Sequence, residues 1–176
     1  MIFKNKVTTA VAFAVAVVLF IIILALYREA VPPSIEIYNT ETGRVYCAFP
    51  APEGTEFSVS FIHSVNKSPV TDFFVIHDEQ IVADRTVYSS FGAGVQTTLE
   101  EGETLSYDED GNMVVSGFNS VFPEVKYIVG TVYDHVLTIR GREYSLTEMC
   151  GRNAHIAIAL RVPKWKLRRE TATKEE

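Results

Sequence analysis

Residues 7–27, VTTAVAFAVAVVLFIIILALY, form an apolar run of 21 residues without a charge. A helix of that length spans roughly 31 Å at 1.5 Å per residue, close to the hydrocarbon thickness of a bilayer. A secretory signal is the competing reading. Its apolar stretch is shorter and ends in a small-x-small cleavage site. Here the run ends Ala25-Leu26-Tyr27-Arg28, which favours an uncleaved anchor within residues 1–30. Lys4 and Lys6 precede the run, whereas Arg28 behind it is offset by Glu29. The positive-inside rule then places Met1 in the cytoplasm and the rest of the chain outside. The expected protein is single-pass in the cytoplasmic membrane, with lipid as the partner of its helix.

Beyond the apolar run the chain is β in pattern. Val31-Pro32-Pro33 is a stiff spacer, because proline fixes φ and discourages helix. Period-two alternation then marks Ile35 to Tyr38, and residues 45–49, 56–63, 70–76, 81–89, 113–116, 126–131, 135–140, 143–146 and 154–162. Most of these runs are rich in Val, Ile, Phe, Tyr and Thr and bounded by Gly, Pro, Asn or Asp. No amphipathic helix is evident beyond the anchor. Nine or ten short strands over residues 31–162 predict an all-β domain, a β-sandwich or incomplete barrel. Arg140-Gly141-Arg142 predicts a tight hairpin. The acidic stretch from Asp108 to Asn112 fails the spacing of a calcium loop, since position one would be Ser106 and position twelve Gly117. It reads as a solvated hairpin.

Charge excludes one partner class and locates another. The chain carries 16 Lys and Arg against 22 Asp and Glu, net −6, which argues against nucleic acid. Residues 34–160 hold seven basic and eighteen acidic residues. The tail, 163–176, groups Lys164, Lys166, Arg168 and Arg169 around Trp165. It is either a solubilising terminus or a segment lying on anionic lipid or on a membrane partner. Cys47 and Cys150 are the two cysteines. In an oxidising space a disulfide between them is the favoured expectation, and two separate buried thiols the alternative.

The densest polar stretch runs from His63 through Ser64, Asn66, Lys67, Ser68 and Pro69 to Asp72. A second stretch comprises Tyr88, Ser90, Gly92 and Gly94. Its glycines permit a turn, a bulge or close approach of a ligand. It lacks the context of a dinucleotide or phosphate loop. A hydrolytic triad from His63, a serine and Asp72 or Asp134 is disfavoured. Adjacent His63 and Ser64 point to opposite faces of a strand, and no Gly-x-Ser-x-Gly elbow exists. His63, His77, His135 and His155 show no metal-ligand spacing, so no metal, cofactor or catalytic set is expected. The candidate ligand- or partner-binding residues are His63, Ser64, Asn66, Ser68, Pro69, Tyr88, Ser90, Gly92 and Gly94.

These motifs carry a resemblance. His63-Ser64-Val65 with Ser68-Pro69-Val70, then Tyr88, Ser90 and Gly92-Ala93-Gly94, then His135, Leu137, Ile139 and Gly141 resemble the domain of unknown function 1850 family. The likeness covers about residues 57–146 and is looser at Thr71 and Asp72. It implies a small exported or anchored protein with no established chemistry. Members are often encoded beside tripartite ATP-independent periplasmic (TRAP) transporters of the TAXI subtype. The expected function is therefore an anchored accessory module touching the transporter's membrane subunit or its solute-binding protein. The alternative is an independent small-ligand-binding domain, less readily a hydrolase, with His63 facing into a closed pocket beside Tyr88 or Ser90.

Overall fold

The computed structural model describes residues 2–65, 67–89, 99–118 and 120–163. The chain divides into two units: residues 33–162, and residues 1–32 with 163–176.

In the smaller unit, helix α1 spans Ile2–Ala30, and its side chains are described for 11–27. Every one of these is exposed, including Phe13, Phe20 and Ile23. That stretch is roughly 26 Å long. Among the described residues no helix is long and apolar enough to cross a membrane.

The larger unit is built from twelve described strands and one short helix. Strands β1 (Ser34–Asn39), β2 (Val45–Pro50), β9 (Glu124–Ile128) and β12 (His155–Arg161) make one antiparallel sheet in the order β2-β1-β12-β9. The second sheet contains β3 (Glu56–Ile62), β4 (Pro69–His77), β5 (Gln80–Tyr88), β6 (Thr104–Tyr107), β7 (Met113–Ser116), β10 (His135–Ile139) and β11 (Arg142–Ser145). Its order is β11-β10-β3-β4-β5-β7-β6, with β8 (Val121–Phe122) beside β5.

Both sheets turn apolar side chains into one core. Ile35 and Ile37 of β1, Val125 of β9 and Ile156 and Ile158 of β12 pack with Phe57, Val59, Phe74, Ile76, Leu137 and Ile139 of the other sheet. Full burial of such a side chain contributes about 1.5–3 kcal/mol. The period-two pattern decides which residues these are, because successive side chains in a strand face opposite ways. The pairing Phe57↔Phe74 and Phe57↔Ile139 aligns one layer of the core across three strands. The Phe57 and Phe74 rings stack at 5.0 Å. Strand β12 is buried on both faces. Outside its small Ala157 and Ala159, Arg161 pairs with Glu36 at 3.0 Å, Lys126 with Glu124 at 2.8 Å, and the Tyr38 hydroxyl donates to Glu124. The two open sheets sharing one core make the all-β unit a sandwich.

The register defines two ends. Ser34 pairs with Arg161 and with Pro50, so the chain joins and leaves this unit at one end. The turn from β3 to β4, past the pair Ile62↔Pro69, lies at the other.

Both turns expected from composition are formed. Arg140 and Gly141 have φ of 53° and 72°, as a two-residue hairpin requires. Asp108 accepts from the amides of Asp110 and Asn112 at 3.0 and 2.8 Å, closing the β6–β7 hairpin. Other expectations need correction. The apolar end of the 143–146 run is not strand: Leu146 opens helix α2 (Leu146–Cys150), capped by Ser145, whose hydroxyl accepts from the Glu148 amide at 3.0 Å. The expected disulfide is absent. Cys47 and Cys150 are free thiols, each partly buried against the shared core. Burial pushes both up to about 11, and the charge of Cys47 further raises Cys150.

Candidate functional site

The structure brings His63, Ser68, Pro69, Tyr88 and His135 to the end away from the chain's junctions. His63 follows β3 in a tight turn. Its amide donates to the Ser68 carbonyl and its carbonyl accepts from the Lys67 amide, both at 2.9 Å. Lys67 takes φ of 54° to close the turn. The His63 Nδ1 accepts from the Val65 amide at 3.3 Å. The ring is half-buried, Ser64 is exposed, and Ser68 is buried at 7% exposure. Pro69 starts β4, and its carbonyl accepts from both the amide and the hydroxyl of Ser89 at 3.1 Å. That contact ties the first motif to the second. Tyr88 ends β5 opposite Val70 on one side and Met113 on the other. Asn66, Ser90, Gly92 and Gly94 lie outside the described residues. His135, from the third motif, starts β10 opposite Phe61 and stacks on it at 5.1 Å. Gly141, from the same motif, lies at the far end in the β10–β11 hairpin.

Directly beneath this end sits a polar cluster that motif reading did not assemble. Asp72 lies on the inward face of β4, between Val70 and Phe74, where the alternation calls for an apolar residue. Its Oδ1 accepts from the Thr86 hydroxyl across the β4–β5 pair, and its Oδ2 from the Tyr127 hydroxyl of the opposite sheet, both at 2.9 Å. Tyr127 also meets the Phe61 and His135 rings at 6.1 and 5.9 Å. The His135 Nδ1 accepts from the Gly130 amide at 3.1 Å, which leaves Nε2 to carry the proton of the neutral ring. Burial raises the Asp72 carboxyl above its usual range, against the pull of its two hydroxyl donors and His135. Burial likewise pushes the Tyr127 hydroxyl up and His135 down. Each of these shifts runs toward the uncharged form of its group.

Among the described residues the clefts include the following three. One of about 550 Å³ lies outside β3 and β10, lined by Glu53, Glu56, Ser58 and Arg140 among others. Another, about 390 Å³, is bounded by Phe49, Arg140, Arg142 and Tyr144. The third, about 340 Å³, opens between the two sheets and reaches Asp72 and Tyr127. His63 and Tyr88 line none of the three, so the closed pocket expected beside them is not formed by these clefts. Among the described residues one trio, Glu53, His77 and Asp78, brings potential metal ligands within 4.8 Å. All three are exposed, and His77 Nδ1 already contacts Glu53 at 2.9 Å. It is an exposed surface contact of the kind that contributes little.

Fold and site define an antiparallel two-sheet β domain with His63, Tyr88 and His135 at one end and a half-buried carboxylate below them. The profile of the domain of unknown function (DUF1850) matches residues 57–146, 90 of the 176 residues. The chain belongs to that family. The matched span runs from Phe57 in β3 through β11, the second sheet but for Glu56, with β9, so it contains all three motif stretches and the Asp72–Tyr127 contact. No curated protein and no solved structure matches the chain.

Proposed function

We propose that this protein is a membrane-anchored extracytoplasmic accessory module of a TAXI-type TRAP transporter. One observation carries the reading. His63 to Pro69, Tyr88 and His135, far apart in sequence, meet at the end formed by the β3–β4 turn, the end of β5 and the start of β10. Val65, at the tip of that turn, is 65% exposed. Exposed residues held by a rigid sheet are the usual material of a contact surface. The apolar run 7–27 supports the anchor, since its four residues before Val11 extend the described stretch to bilayer length. Lys4 and Lys6 support a cytoplasmic N-terminus.

The test is association in the native host. The full chain, carrying a C-terminal tag, is crosslinked, extracted in mild detergent and purified. A TAXI-type membrane subunit or solute-binding protein is expected to come with it. The double variant His63→Ala, Asn66→Ala should lose that association while its melting curve stays unchanged. Undiminished association in the folded variant refutes the assignment to this end.

A further inference from the structure

The cleft between the sheets has a chemistry of its own. Its floor is the Asp72 carboxylate with Tyr127 and Thr86, and its apolar walls are Phe74, Phe118, Phe122 and Val125. The Phe74 and Phe122 rings meet edge to face at 6.3 Å, closing one side. A volume of about 340 Å³ falls at the small end of pockets that hold organic ligands.

The charges select the ligand. Arg85 and Lys126 border the cleft, but each is already held by an acid: Arg85 by Asp84, and Lys126 by Glu124 at 2.8 Å. Asp72 forms no ion pair with any described lysine or arginine. Each of its oxygens accepts one hydroxyl proton, and a carboxylate has acceptor sites for more. A half-buried carboxylate without a cation is costly to keep, and a bound cation would offset that cost. Phenyl faces add attraction for a cation through their quadrupoles. A carboxylate ligand would meet repulsion from Asp72, and a neutral one would leave the charge uncompensated.

We propose that this cleft binds a small organic ammonium compound, with its cationic group on Asp72 and its apolar body against Phe74, Phe118 and Phe122. The site is separate from the loop end, so its occupation does not depend on what docks there.

The probe set is phenethylamine with two shape-matched controls, phenethyl alcohol and phenylpropionate. Calorimetric titration of the full chain in detergent is expected to give saturable binding of the amine alone. Asp72→Asn should weaken it at least tenfold with the fold intact by circular dichroism. Phe118→Ala, which leaves the carboxylate in place, should weaken it as well, and it serves as the deciding variant if Asp72→Asn does not fold. Binding of the alcohol as tight as that of the amine, amine affinity unchanged in either folded variant, or no amine binding at millimolar concentration overturns the proposal.

Discussion

The Tyr127 hydroxyl of one sheet donates to the Asp72 carboxylate of the other across 2.9 Å. It is a polar tie through an interface whose buried side chains are mainly Ile, Val, Leu and Phe. Tyr127→Phe removes the donor and leaves a desolvated oxygen with one partner fewer. The expected cost is about 1–3 kcal/mol in unfolding free energy. Urea denaturation checks it, and an unchanged midpoint would show that the tie contributes nothing.

Asp72 also sets a pH dependence. Its folded value is raised above the ordinary 3.8 by burial, so the folded state holds the proton more tightly than the unfolded chain. The stabilisation is complete below 3.8 and is lost as pH rises through the raised value. Asp72→Asn cannot ionise. Its stability relative to wild type should therefore improve as pH rises through that window. Denaturation at stepped pH reads this directly, and a wild-type advantage that grows with pH would contradict it.

His135 works in the opposite sense. Burial depresses it below 6.5, although Asp134 and Asp72 partly oppose the shift. Its contribution is present above 6.5 and is lost as pH falls through the folded value. His135→Phe keeps the stack on Phe61 but removes the acceptor for the Gly130 amide. It should cost about 1–3 kcal/mol above neutrality, with the deficit shrinking in acid. A deficit independent of pH would assign the whole effect to packing.

How far the sequence reached depends on what kind of signal each element carried. The strands at Phe57, Val59 and Phe61, and at Val70, Phe74 and Ile76, were legible because one buried face imposes strict alternation. β6 was not, since all four of its residues are exposed and no apolar face marks it. β8 is two residues long. Helix α2 had a local signal, Ser145 followed three residues later by Glu148, the pattern of an N-terminal cap. It was outweighed by the β-like run before it. Asp72 was visible as a charge at an inward position of β4. Its partner Tyr127 was not, because nothing in the sequence announces a contact across 55 residues between two sheets.

Gly130 explains why the β9–β10 connection needs its sequence. A methyl group there would lie 2.0 Å from the Tyr133 carbonyl oxygen and 3.4 Å from the His135 ring. The backbone must move to admit it, so Gly130→Ala should destabilise by about 1–3 kcal/mol and shift the His135 ring resonances. An alanine variant as stable as wild type, with unchanged resonances, would contradict this placement.

The free thiols give a chemical test. Raised to about 11 from the ordinary 9.0, Cys47 and Cys150 hold about one-hundredth of the usual thiolate in the folded state. Alkylation by iodoacetamide should be slow in the native protein and fast after unfolding, with two adducts by intact mass. Rapid native labelling, or a mass two hydrogens short of the dithiol, would contradict it.

The central claim is that the end carrying His63 meets the transporter. Photocrosslinking from single positions tests it most directly. A photoreactive residue at Val65, on the β3–β4 tip, is compared in the native host with one at Asp78, on the exposed β4–β5 hairpin at the opposite end. The account predicts adducts with a TAXI-type membrane subunit or solute-binding protein from Val65 and none from Asp78. Equal capture from both positions, or capture of neither transporter component from Val65 in a correctly inserted protein, would contradict it.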